Sequence, residues 1–279
     1  MKIKDLNVDE KVVQDFGREW KAFNHSDLPD SDLKEAFEQY FHIFPFEKIG
    51  AQSIGFDMGC GSGRWAKFIA PKVGILNCID ASDLALQQAK SNLSKFSNCE
   101  FECASVSSST LKSHSQDFGY SLGVLHHIPD TFEGIKSCSK LLKSGAPFLL
   151  YLYYRFDNQP SWFKAIWKVS DLLRQVICNL PFPLKYFASQ IIAFGVYWPM
   201  ARLSLLAEMI GINISSFPLS DYRNKPMYFL RTDALDRFGT RLEQRFTKKE
   251  IEKMLLSAGF KDIKFSSRTP YWVAIATKA

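Results

Sequence analysis

The sequence predicts an α/β fold: a seven-stranded, mostly parallel sheet with helices on both faces, closed by an antiparallel pair and carrying a mainly helical insertion. Three observations predict it. From residue 53 to 154, short apolar runs alternate with helical patterns. The runs are apolar almost throughout, as in strands covered on both faces. The alternation then stops over 155–246 and resumes as one helix and two strands separated by a few residues, a connection short enough only for antiparallel pairing.

The elements follow in order. Phe16, Trp20 and Phe23 recur at spacings of four and three on one helix face, and Phe37, Tyr40, Phe41 and Phe44 do the same in a second segment. Residues 1–50 therefore read as two amphipathic helices, packed on a core or forming a lid over a ligand site. SIGFDMG is a strand entering a glycine turn, and RWAKFIAPK starts a helix. VGILNCID is a strand ending in an acid; SDLALQQAKSNLSKF is a helix capped by Ser82 or Asp83. CEFECAS is a third strand, and DFGYSLGVLHHI holds a fourth. TFEGIKSCSKLLKSG is a helix stopped by Gly145, and APFLLYLYY is a fifth strand. TKKEIEKMLLSAGF opens on a Thr247–Glu250 capping box and stops at Gly259, before strands KDIKFSS and YWVAIATK.

The 279 residues suit one large domain with an insertion, and 46% hydrophobic content fills a sizeable core. The net charge of +6 is spread along the chain rather than gathered in a stripe, so no nucleic-acid partner is expected. Six irregularly spaced cysteines lack a second Cys or His pair, which points to free thiols in a reducing cytoplasm and to no zinc site. The N-terminus lacks the apolar stretch of a signal peptide.

The glycine turn carries the chemistry. Its spacing is DxGxGxG, with Asp57, Gly59, Gly61 and Gly63; Arg64 stands where a dinucleotide fingerprint needs its third glycine, and no GK[ST] follows. An acid at the strand end disfavours a pyrophosphate and favours an ammonium group. The second acid, Asp80, ends the next strand, where an acid can accept both hydroxyls of a ribose. A ligand with a cationic amino-acid end and a ribose is S-adenosylmethionine.

At this point the sequence resembles the class I S-adenosylmethionine-dependent methyltransferases, over about 53–154 and 247–279. FDMGCGSGRW resembles their first motif, CIDAS the acidic second, GYSLGVLHHIPD the fourth and LLKSGAPFLLYLY the strand-five motif; ECAS sits at the adenine loop, with Ser105 where many members carry Asp. The His-His pair and the early DFGREW are closest to a bacterial small-molecule branch. The resemblance implies a Rossmann-like sheet with a reversed seventh strand. It implies that Asp57, Gly59, Cys60, Gly61 and Gly63 line the methionine half of the cofactor, Asp80 the ribose, Ala81, Ser82, Ala104 and Ser105 the adenine, and Gly123 the sulfonium, with Trp20 contributed by the lid.

Methyl transfer needs positioning, and a general base only where the acceptor must lose a proton. His126 and His127 follow the fourth strand, and Tyr153 ends the fifth; these are the candidate catalytic residues. Tyr154 and Arg155, with Tyr222, Arg231 and Arg241 of the polar run 221–246, are candidate acceptor contacts, the arginines for an anionic group. On this reading 155–246 binds the acceptor, a small molecule methylated at O or N and anionic, sugar-like or lipid-like. The uncharged stretch 186–201 is shorter than a spanning helix and interrupted by Gly195 and Pro199; it reads as a buried or acceptor-covering helix, with a membrane-surface contact as the alternative. The aromatic insertion can equally bury a homodimer contact. Two other classes remain: an RNA or protein methyltransferase, opposed by the lack of an NPPY-type tetrad or a basic appendage, and a non-catalytic scaffold, opposed by the intact first two motifs.

Overall fold

In the computed structural model, which describes residues 7–23 and 29–279, strands β1 (Ile54–Met58), β2 (Ile75–Asp80), β3 (Cys99–Cys103), β4 (Phe118–Leu122), β5 (Pro147–Tyr151), β6 (Phe260–Phe265) and β7 (Ala274–Lys278) form one sheet. Their order is β3-β2-β1-β4-β5-β7-β6. The first five are parallel, and β7 pairs antiparallel with both β5 and β6. It is therefore the reversed strand expected of this Rossmann-like sheet.

Alternating side chains feed two cores, one on each face. Tyr120, Phe118 and Leu76 meet α2 (Asp30–Phe41), α3 (Ala66–Ile69) and α4 (Asp83–Asn92) through Phe37, Phe41, Ile69 and Leu86. Phe56, Phe148 and Leu150 meet α5 (Thr131–Leu141) and α10 (Lys248–Ser257) through Ile135, Cys138, Ile251 and Leu255. The edge strands β3 and β6 carry Glu100, Glu102, Lys261 and Lys264, charges that discourage pairing with another chain. Ser82 caps α4, and Thr247 and Glu250 make the reciprocal box at the start of α10.

Two expectations change. The fifth strand ends at Tyr151, not Tyr154: its neighbour β4 stops at Leu122 and β7 starts at Ala274, so no ladder partner exists beyond. Tyr154 instead bridges to Phe246. The helix after the glycine turn is only α3 and a 3-10 turn through Lys72, where Pro71 removes a donor.

The chain divides into two units, Phe156–Arg241 and the sheet unit made by the chain before and after it. Within Phe156–Arg241 lie α6 (Ser161–Ile177), α7 (Phe182–Ile192), α8 (Trp198–Met209) and α9 (Met227–Gly239). A π-turn, Ala193–Tyr197, joins α7 to α8. Gly195 and Pro199 thus do not break the stretch as expected. The wide turn absorbs the missing proline donor, and Phe182–Met209 runs as one helix of 28 residues, long and apolar enough by length and composition to cross a membrane. Its Ala193, Tyr197 and Ala201 pack on Leu230, Ala234 and Phe238 of α9.

Candidate functional site

Strand order reverses between β1 and β4, and ligands of such sheets sit at the carboxyl ends of the strands at this switch point. The glycine turn follows β1 and Gly123 follows β4. Gly59, Gly61, Gly63 and Gly123 all have positive φ, at 80°, 56°, 77° and 79°. Their reasons differ. A Cβ on Gly59 would strike Val124 and one on Gly63 would strike Leu93, so these two clear room for packing. A Cβ on Gly61 would meet the indole of Trp20, and one on Gly123 would meet nothing within 4 Å. Cys60 turns its thiol into the core and offers the site only backbone.

Two acids frame the turn. Asp57 is buried at 1% exposure, and its Oδ2 has no hydrogen-bond partner. Burial pushes its carboxyl up to about 8; Asp80 adds to the rise, while Tyr120 and Arg64 oppose it. Asp80 accepts from the Gly61 amide at 2.9 Å and the Ser82 amide at 2.8 Å. It is not the helix cap, since Ser82 fills that role. Burial nonetheless raises its pKa against these two bonds. A carboxylate offers about four lone-pair sites, so two remain for a ligand. Beyond β3, the Ala104 amide is held by the Asp80 carbonyl, and the Ser105 hydroxyl pairs with Ser108 at 2.9 Å. Ala81 lies between Asp80 and the Ser82 cap.

A buried, unpartnered carboxylate oxygen beside open glycine backbone fits an ammonium group, and Asp80 one strand away fits a diol. The residues present therefore fit S-adenosylmethionine. Asp57 and the Gly59–Gly63 backbone would hold its amino-acid end and Asp80 its ribose.

A second group of residues stands at the ends of β4 and β5. His126 and His127 lie on a 3-10 turn, Leu125–His127, and both are buried. They differ in proton placement. His127 Nδ1 lies 2.8 Å from the Leu242 carbonyl, which can only accept. The neutral ring therefore carries its proton on Nδ1 and presents a lone pair at Nε2. His126 Nδ1 instead accepts from the Tyr153 amide at 3.4 Å. Its ring stacks on Tyr153 at 3.9 Å, and burial, His127 and Arg245 hold its pKa well below the usual histidine range.

The segment returning from the insertion builds the other wall of this group, and nothing in its local pattern announces that. Gln244 donates its amide to the His126 carbonyl and its side chain to Ile128. Arg245, read from sequence as part of a solvated run, is largely covered, its side chain 12% exposed: it pairs with Glu243 at 2.8 Å, lies over the Tyr153 ring and reaches the Tyr154 carbonyl.

Helix α1 (Glu10–Ala22), which the sequence reads as core or lid, crosses this edge. Asn7, just before it, bonds both the amide and carbonyl of Asp130; Gly17 packs on Ser82 and Leu84; Phe16 meets His127 at 4.9 Å; and Trp20 meets Gly61. Ring contacts form a circuit that the backbone of α1 closes: Phe16, His127, Tyr153, Tyr151, Tyr40 and Trp65, then Arg64 over Trp65 at 4.4 Å and over Trp20 at 5.2 Å. Residues of the second aromatic segment divide accordingly: Phe37, Phe41 and Phe44 are core, and Tyr40 joins the circuit.

The proposed acceptor contacts fall in both units. Tyr154 stands against Tyr271, and Arg155 bonds the Arg245 carbonyl and Glu250. Tyr222 donates to Asp233, and Arg231 to Gln190 and Tyr186, all within the helical unit, where Arg241 is exposed. Among the described residues, no cluster of three or more His, Cys, Asp or Glu could hold a metal ion.

Fold and site together are those of a class I S-adenosylmethionine-binding methyltransferase sheet. Comparison with known proteins agrees: residues 56–150 match the family model described as a methyltransferase domain. The ubiquinone biosynthesis O-methyltransferase of Nitrosomonas europaea is 33% identical over 120 residues, 42% of this chain and 50% of that protein. The chain thus spans about half the length of this curated relative. Among solved structures, a methyltransferase-fold protein of Bacillus halodurans superposes with a TM-score of 0.51 at 14% identity, over 84% of this chain and 70% of the other. The phosphoethanolamine N-methyltransferase 2 of Haemonchus contortus, solved with S-adenosylhomocysteine, gives 0.50 at 15% identity, over 85% and 39%.

Proposed function

We propose that the protein transfers the methyl group of S-adenosylmethionine to an oxygen of a small-molecule acceptor, with His127 Nε2 receiving the acceptor's proton. The observation that carries this reading is the 2.8 Å bond from His127 Nδ1 to the Leu242 carbonyl, which leaves the other ring nitrogen as a proton acceptor. A hydroxyl must lose its proton to be methylated, whereas a neutral amine can attack with its lone pair. The relatives named O-methyltransferases support oxygen in the same direction. When bound, S-adenosylmethionine supplies an electrophilic methyl group on a sulfonium. The chain's own part is to hold the reactants and exclude water, for which the aromatic circuit and the buried histidines are suited. His126, stacked and neutral, orients Tyr153 and the turn.

The test is mass spectrometry of cell extract incubated with the protein and methyl-labelled cofactor, which identifies the acceptor and its labelled atom. With that acceptor, His127→Gln is expected to lower kcat by about 100-fold or more while S-adenosylhomocysteine affinity stays. A label on nitrogen, or full turnover in the folded variant, overturns the reading.

A further inference from the structure

Among the described residues, twenty large apolar side chains stand exposed, and eighteen of them lie between Trp162 and Phe217. They are ordered. On α6, Trp162, Ile166, Val169, Leu173 and Val176 follow one another at spacings of four, three, four and three, which is one helix face. On the continuous α7–α8 helix, Leu184, Phe187, Ile191, Phe194 and Trp198 repeat the pattern. The opposite faces are the ones that pack. Arg174 of α6 bonds the Thr240 carbonyl just past α9, and Lys185 of α7 bonds the Gly239 carbonyl at its end. Ser189 and Ala193 are fully buried one and two turns further on. Both helices therefore satisfy their polar side internally and turn an apolar stripe outward. Contiguous exposed apolar surface of this kind marks an interaction site.

Charge selects the occupant. From residue 172 to 207 the chain has no acidic residue. Lys164 and Lys168 sit beside Trp162, Ile166 and Val169 on α6, and neither has an ion-pair partner among the described residues. A second copy meeting this face about a two-fold axis would bring the same unpaired lysines to the same rim, where nothing acidic answers them. A bilayer surface with anionic headgroups answers both features at once: the stripes enter the acyl boundary, the tryptophans sit at headgroup level, and the lysines meet phosphates. The 28-residue helix does not need to span, because one of its faces is already committed to α9.

We infer that α6 and the α7–α8 helix form a docking face for an anionic membrane surface, on which the protein lies peripherally. This inference stands apart from the choice of acceptor atom. The experiment is co-sedimentation of the full chain with vesicles of phosphatidylcholine mixed with phosphatidylglycerol, and of phosphatidylcholine alone. Binding to the mixed vesicles that weakens with added salt is expected. Leu173→Glu combined with Phe187→Glu, both at exposed positions, is expected to reduce it at least about tenfold with S-adenosylhomocysteine affinity and Tm unchanged. Lys168→Gln is expected to cost roughly fivefold. Absence of wild-type binding to the mixed vesicles overturns the inference, as does equal binding by the double variant. A concentration-dependent dimer that the double variant abolishes, without vesicle binding, assigns the face to a second copy instead.

Discussion

The indole of Trp20 lies against the backbone of Gly61, at a distance where a Cβ on that glycine would stand 3.0 Å from the ring. Gly61 is also the residue whose amide is held by Asp80. Any ligand that lies along the glycine turn must therefore pass or move this ring. S-adenosylhomocysteine is expected to change the tryptophan emission of the protein, and Trp20→Phe to remove most of the change. An undiminished signal in that variant would show that the ring does not register the ligand.

Asp57 makes both binding and stability depend on pH. Its carboxyl is protonated up to about 8 in the folded protein against an ordinary value of 3.8, so the native state binds the extra proton between these limits. Stability then falls as pH rises from about 4 to about 8. Asp57→Asn is expected to raise Tm relative to the wild type at pH about 9, with the gap closing toward pH about 4, and to lose cofactor binding. Calorimetry at pH about 7, in two buffers of different ionisation heat, is expected to show release of up to about one proton as the ligand's ammonium pairs with the carboxylate.

Asp80 has a structural role of its own. Its two amide bonds tie the glycine turn to the end of β2. Hydrogen bonds to a charged partner are worth about 1.5–3 kcal/mol each, so Asp80→Ala is expected to cost about 3–6 kcal/mol in denaturant unfolding as well as weakening S-adenosylhomocysteine. Loss of affinity with unaltered unfolding would limit Asp80 to ligand contact.

Two ion pairs of the returning segment are expected to behave differently. The Glu243 side chain is 1% exposed and its Arg245 partner 12%, so Glu243→Gln leaves a buried cation and is expected to cost about 3–5 kcal/mol. The Arg155–Glu250 pair is about half exposed at both ends, and Arg155→Gln is expected to cost about 1 kcal/mol or less through that pair. Urea titration of both variants compares them directly.

The sheet was legible because buried strands must be apolar and helices must be capped: FDMG, ILNCID and the Thr247–Glu250 box each carry their own local signal. The two acids were legible as candidates for the same reason, since Asp57 and Asp80 each stand out near the end of an apolar strand. The second wall of the site was not. Gln244 and Arg245 reach His126 and Tyr153 from about a hundred residues away, and an arginine in a charged run looks solvated until its neighbours are known. The glycines read alike in sequence, yet Val124, Trp20 and Leu93 give Gly59, Gly61 and Gly63 three separate constraints. Trp20 was a face-of-helix residue by spacing, and only the packing of Gly17 on Ser82 sets it over the turn.

The neck of the insertion is a closed fastening. Tyr154 pairs with Phe246, the Phe246 amide bonds the Tyr153 carbonyl, the Arg155 amide bonds the Phe246 carbonyl, and the Arg155 guanidinium grips the chain once more at Arg245. Entry and exit strands are thus clasped before the helices begin, with every clasping group on the sheet side. The bonds that hold this neck therefore do not depend on the eighty-odd residues beyond it, Phe156–Arg241. A fastening of this kind lets the two compact units be separated at Arg155 and Leu242 with the clasp left on the sheet side.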